Sequence, residues 1–95
     1  MNNKDLTVTI EALTHYTALC QPEASSAFIE IIRLLEKSKV LHVENIPIVR
    51  MALEQVRQRY IESHAAAIKR NMDKENLCPI YREKINNINI VLNKL

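Results

Sequence analysis

Glycine is absent from all 95 residues of this chain, which limits the folds and sites that the chain can build. Glycine adopts positive φ at low energetic cost and lets the backbone approach a ligand closely. Phosphate-binding loops, dinucleotide fingerprints, nucleophile elbows and EF-hand loops all depend on it. Tight two-residue hairpins lose their preferred turn residue as well. Helices joined by ordinary turns remain easy to form, so the sequence predicts an all-α fold without these motifs.

The length suits a single domain that comprises residues 1–95. Hydrophobic residues make up 47% of the chain and charged residues 25%, which is typical of globular proteins. Cys20 and Cys78 are too few for a disulfide framework, so we expect two buried thiols. The polar N-terminus does not read as a signal peptide, and no apolar run approaches the ~20 residues of a membrane span. These features predict a cytoplasmic protein that does not associate with a membrane.

Three prolines divide the chain into four helical segments, because proline is tolerated in the first turn of a helix and disrupts later turns. They are Pro22, Pro47 and Pro79. The first segment is predicted to begin at Asp5 or Thr7 and to end near Cys20. A short strand at 6–10 is the alternative, since Leu, Val and Ile alternate there with threonine.

The second segment has the widest apolar stripe, which predicts the central core helix. Residues 38–44 lack helical phase and predict an irregular connector packed under the bundle. The third segment begins near Asn45, and its pattern runs for about 28 residues, or ~42 Å. Together the segments predict a small four-helix bundle with one long central helix.

The fourth segment has apolar side chains at alternating spacings of four and three residues, which is the pattern of a packed helical seam. Either the long helix of the same chain or a second copy has to cover it, and a two-fold homodimer is our prediction. The residues of this seam are Tyr81, Ile85, Ile88 and Leu92, with Leu95 at its end.

The sequence lacks the residue spacings that are typical of metal-binding and catalytic sites. The histidines and cysteines form none of the usual metal-ligand patterns, and no cysteine lies in a turn that would expose a nucleophile. We therefore predict no catalytic residue, no metal site, no cofactor and no enzymatic activity.

Basic side chains are concentrated in the second half of the chain, where nine oppose five acidic ones, whereas the first half has four against six. On the third segment they predict a surface for an acidic partner or for nucleic-acid phosphates. A solvated helix face is the simpler interpretation. These candidate partner-binding residues are Arg50, Arg57, Arg59, Lys69 and Arg70.

The absence of catalytic motifs together with amphipathic helices predicts a non-enzymatic protein-interaction module. Small helical regulators, inhibitors, immunity proteins and chaperones have this size and pattern. A nucleic-acid-binding regulator that uses the basic side chains of the third and fourth helices is the alternative.

Overall fold

The computed structural model describes residues 2–20, 22–69 and 77–95, and this part of the chain forms four packed α-helices without a strand. They are α1 (Asn3–Leu19), α2 (Pro22–Ser38), α3 (Ile46–Lys69) and α4 (Leu77–Lys94). A short 3₁₀ turn, Val43–Asn45, precedes α3. The predicted all-α bundle is confirmed, and the three prolines lie in the first turns of α2, α3 and α4. The end of the predicted third segment, beyond Lys69, lies outside the described residues, as does the side chain of Cys78.

The first helix begins earlier than either predicted start, because Asn2 is its N-cap. The Asn2 side chain accepts a hydrogen bond from the backbone N–H of Asp5 at 2.8 Å, and the Asp5 carboxylate accepts from the backbone N–H of Asn2. This reciprocal capping box satisfies two amide groups that a helix start leaves unpaired. Asp5 is therefore the third helical residue and not the cap.

Threonine side chains explain why the alternating stretch at 6–10 is helical and not extended. Thr7 donates its hydroxyl to the carbonyl of Asn3, and Thr9 donates to that of Asp5, each four residues earlier. Such bonds keep a β-branched polar side chain satisfied within a helix. Thr9 is consequently buried without an unpaired hydroxyl, and the strand alternative is wrong.

The helices run alternately up and down. Arg57 of α3 contacts Asn89 of α4, and His64 of α3 lies against Tyr81, so these two helices are antiparallel. Lys94 pairs with Asp5 of α1 at 2.8 Å, which joins the last turn of α4 to the first turn of α1. The hydrogen bond from Lys94 is the main reason that the pKa of Asp5 lies below its ordinary value.

Helix α1 contacts each of the other three helices, whereas α2 packs chiefly against α1. The prediction that the second segment is the central core helix is therefore wrong. Helix α2 lies at the edge of the molecule, and it buries one stripe that consists of Phe28, Ile31 and Leu35. The longest helix, α3, packs against both α1 and α4. The rest of the core comes from α1, α3 and α4, and its largest fully buried apolar side chains are Leu13, Val49, Leu53, Val56 and Val91.

The connector after α2 is not packed under the bundle as predicted. Leu41 is half-buried against the core, but Val40 and Val43 are exposed. Lys39 has φ of 61° and donates its backbone N–H to the carbonyl of Leu35 at 3.0 Å, which closes the end of α2. Most helices that end in this left-handed conformation place glycine there.

Lys39→Gly is expected to stabilise the protein by about 0.5–1 kcal/mol. A non-glycine residue in the left-handed region costs about 1–2 kcal/mol, which exceeds the extra chain entropy that glycine gives the unfolded state. Lys37→Gly is the matched control, because Lys37 lies inside the last turn of α2, and it should lose about 1 kcal/mol. Urea denaturation of both variants measures the difference. Equal destabilisation by both would contradict the left-handed cap.

Candidate functional site

The basic side chains of α3 do not form one face. Arg57 and Arg59 are two residues apart, so they are separated by about 200° around the helix axis. Arg50 shares the side of Arg57, and Lys69 is rotated from Arg57 by about 120°. Arg59 and Lys69 are exposed, Arg50 is half-buried, and Arg70 lies outside the described residues. The four described residues therefore point in three directions.

Arg57 has a structural partner on the neighbouring helix. Its Nη1 donates a hydrogen bond to Oδ1 of Asn89 at 2.8 Å, and both side chains are half-buried between α3 and α4. A guanidinium held in this way joins two helices of the same chain. It is correspondingly less available to a phosphate or to an acidic partner.

The predicted seam on α4 faces the core of its own chain. Ile88 and Leu92 are buried among side chains of the other helices, and Leu95 packs against the same core. Tyr81 and Ile85 are half-buried. Helices of the same chain therefore cover the two most buried seam residues. Homodimer formation stays a prediction, and it would need another surface.

A row of aromatic rings crosses α1, α3 and α4. His15 stacks on Tyr60 with ring centroids 5.6 Å apart and planes inclined by 26°. Tyr60 lies 6.4 Å from Tyr81, and Tyr81 lies 6.4 Å from His64. Nε2 of His64 is buried without a hydrogen-bond partner among the described residues. The four rings therefore join three helices.

An open cleft lies beside this row, between α1, α3 and α4. It contains about 250 Å³ of empty space, part of which is continuous with solvent. Its floor is aliphatic and its rim is polar. The lining residues are Val8, Glu11, Ala12, Tyr60, Lys84, Asn87 and Ile88, and we call this site the α1/α3/α4 cleft.

Lys84 is the central polar group of the rim. Its ammonium donates to the Glu11 carboxylate and lies 5.7 Å from the centre of the Tyr60 ring. The hydrogen bond to Glu11 raises the pKa of Lys84, and burial raises the pKa of Tyr60 against the opposing effect of the Lys84 charge. At neutral pH both groups are protonated, so they act as hydrogen-bond donors and not as a general base or a nucleophile.

The sequence contains a partial signal for the aromatic row and the cleft beside it, which the predictions did not use. Glu11 and His15 are four residues apart on α1, and Tyr60 and His64 are four apart on α3, so each pair shares a helix face. Neither pair indicates by itself which neighbouring helix it faces. The convergence of the pairs depends on how the helices pack.

A second surface is the end of the molecule where α2 is connected to α3. Four apolar side chains within twelve residues are exposed there by 40–81%. They are Val40, Val43, Ile48 and Met51, and we call this surface the α2–α3 corner. Ile48 and Met51 are three residues apart on α3 and therefore lie on neighbouring parts of one face.

Metal ligands do not converge anywhere in the described ranges, where no three histidine, cysteine or acidic side chains are placed to hold an ion. None of the helices in these ranges is both long and apolar enough to cross a bilayer. Comparison with protein families, curated proteins and solved structures finds no match to this chain.

Proposed function

We propose that this chain is a non-enzymatic protein-interaction module that binds its partner through the α2–α3 corner. The observation that carries the proposal is the exposure of Val43, 81% of whose surface is open to solvent, together with three other exposed apolar side chains within the same twelve residues of sequence. Single exposed apolar residues are common on proteins, whereas several grouped together are typical of interaction surfaces. Covering them with a partner removes apolar area from water.

The backbone next to the corner supports the same proposal. Among the described residues, only Lys39 has a positive φ, and it directly precedes the exposed Val40. Unfavourable backbone conformations are concentrated at functional sites, because selection for function retains them there. Glycine would adopt this conformation without the energetic cost, but the sequence contains no glycine.

The groups of the α1/α3/α4 cleft are compatible with a binding protein. Its protonated Lys84 and Tyr60 supply hydrogen-bond donors. The four described basic side chains of α3 point in different directions, so the nucleic-acid alternative is not proposed as a second function.

Val40→Asp is expected to abolish partner capture, because a carboxylate at the corner would have to be desolvated against an apolar surface. Ile68→Asp is the matched control, since Val40 and Ile68 are both 56% exposed and lie on different parts of the molecule. Both variants should keep the stability of the wild type within about 0.5 kcal/mol. The measurement is co-purification of tagged protein from native extract with and without nuclease, followed by mass spectrometry.

Capture of one protein by wild type and Ile68→Asp, but not by Val40→Asp, would support the proposal. Recovery of nucleic acid that nuclease removes would contradict it, as would equal capture by all three proteins. Light scattering of the purified chain identifies the remaining case: a dimer that Val40→Asp dissociates would make the partner a second copy.

A further inference from the structure

The α1/α3/α4 cleft has an aliphatic floor that none of the described side chains fills. Val8, Ala12 and Ile88 form this floor, and the Tyr60 ring forms one wall. The ring already has partners, since His15 stacks on it and the Lys84 ammonium lies over it. The aliphatic surface, and not the aromatic one, is therefore the part of the cleft that is open to a ligand.

The size of the cleft restricts what can occupy it. Sites for drug-sized ligands and cofactors enclose about 300–1,000 Å³. The roughly 250 Å³ of empty space in the cleft includes open solvent, so its enclosed part is far smaller than such a site. A single side chain fits this space better than a cofactor, and protein interfaces commonly place one such anchor in a small pocket.

The polar side chains on the rim of the cleft offer hydrogen-bond donors and acceptors and together carry no net charge. Lys84 has three N–H donors and uses one on Glu11. Asn87 has two donors and an acceptor, and its side chain makes no hydrogen bond within the described part of the chain. The Glu11–Lys84 pair is neutral as a unit, which favours a ligand that is also neutral. A peptide backbone offers carbonyl acceptors and an N–H donor without a formal charge.

We propose that the α1/α3/α4 cleft binds one aliphatic side chain of a protein partner, with Lys84 and Asn87 donating to the carbonyls that flank it. This inference rests on the proposed function, because the ligand belongs to a polypeptide. It adds a second contact, on a different part of the molecule from the α2–α3 corner, and it states the partner's chemistry: a neutral segment with an exposed leucine-like residue.

The test uses N-acetyl-leucine methylamide as the probe and N-acetyl-glycine methylamide as the probe without a side chain. Each is titrated into the ¹⁵N-labelled full-length chain and followed by backbone amide shifts. We expect the leucine probe to give saturable shifts in the millimolar range at Ala12, Asn87 and Ile88, and the glycine probe to give none. Intermolecular NOEs from the probe methyl groups to Val8 and Ile88 should locate the probe in wild-type protein.

Asn87→Trp should weaken binding of the leucine probe by about tenfold or more, because the indole ring occupies the cleft. Asn86→Trp is the matched control, since Asn86 is the adjacent residue, is exposed and does not line the cleft. It should bind as the wild type does. Circular dichroism establishes that both variants are folded, and the wild-type NOEs decide the matter if Asn87→Trp is not.

Absence of saturable shifts would overturn the inference, as would equal binding of the two probes. Tighter binding of free zwitterionic leucine than of the neutral probe would also overturn it and would indicate a site for an amino acid. The proposed function has a separate readout, because Val40→Asp acts at the corner. Partner capture that depends on Val40 without probe binding would reject the cleft alone. Probe binding without partner capture would reject the proposed function, and with it the partner as the source of the side chain, but not the preference of the cleft for a neutral aliphatic group.

Discussion

Ile88→Asp is expected to unfold this protein, whereas Ile90→Asp should leave it folded. Ile88 is 2% exposed and lies in the core, while Ile90, two residues along the same helix, is 39% exposed. A carboxylate at position 88 would be buried among aliphatic side chains, and Lys84 on the rim of the cleft already pairs with Glu11. We expect a loss of more than about 4 kcal/mol, which is comparable to the whole stability of many domains of this size.

Thermal melting followed by circular dichroism, together with light scattering, measures the outcome for both variants. Loss of the helical signal in Ile88→Asp and retention in Ile90→Asp would confirm that the seam on α4 is covered within one chain. A folded Ile88→Asp monomer derived from a wild-type dimer would contradict this, since it would mean that a second copy covers Ile88.

Leu35→Ala should destabilise the protein by about 2–5 kcal/mol, and Leu34→Ala by less than about 1 kcal/mol. The two leucines are neighbours on α2, but Leu35 is 1% exposed and Leu34 is 39% exposed. Removing a buried leucine side chain loses its transfer free energy and leaves a cavity that the surroundings fill only in part. At position 34 the transfer term is smaller and no enclosed cavity is left, because water already reaches the side chain.

Urea denaturation of the pair tests how α2 is attached to the bundle. Similar losses at both positions would mean that α2 is covered on two sides, as the core helix predicted from its sequence would be. The expected asymmetry fits a helix at the edge of the molecule that packs chiefly against α1.

Local features that depend on one helix alone were predictable from the sequence. The absence of glycine and the positions of Pro22, Pro47 and Pro79 led to four helices, and the structure has four in its described part. The reason is that proline restrains its own residue and the turn beside it, whatever the rest of the chain does. The burial of Ile88 and Leu92 on one stripe of α4 follows in the same way from helical spacing.

Tertiary packing decided which of several apolar stripes is covered and which polar groups meet. Both Leu34 and Leu35 fit the apolar pattern of α2, and only the position of α1 distinguishes them. Likewise, Glu11 and Lys84 are 73 residues apart, and they pair because α1 and α4 pack against each other. Helical periodicity describes the surface of one helix, whereas a cleft or an exposed corner is a property of how helices are arranged around it. The candidate binding surfaces therefore emerged only from the assembled bundle.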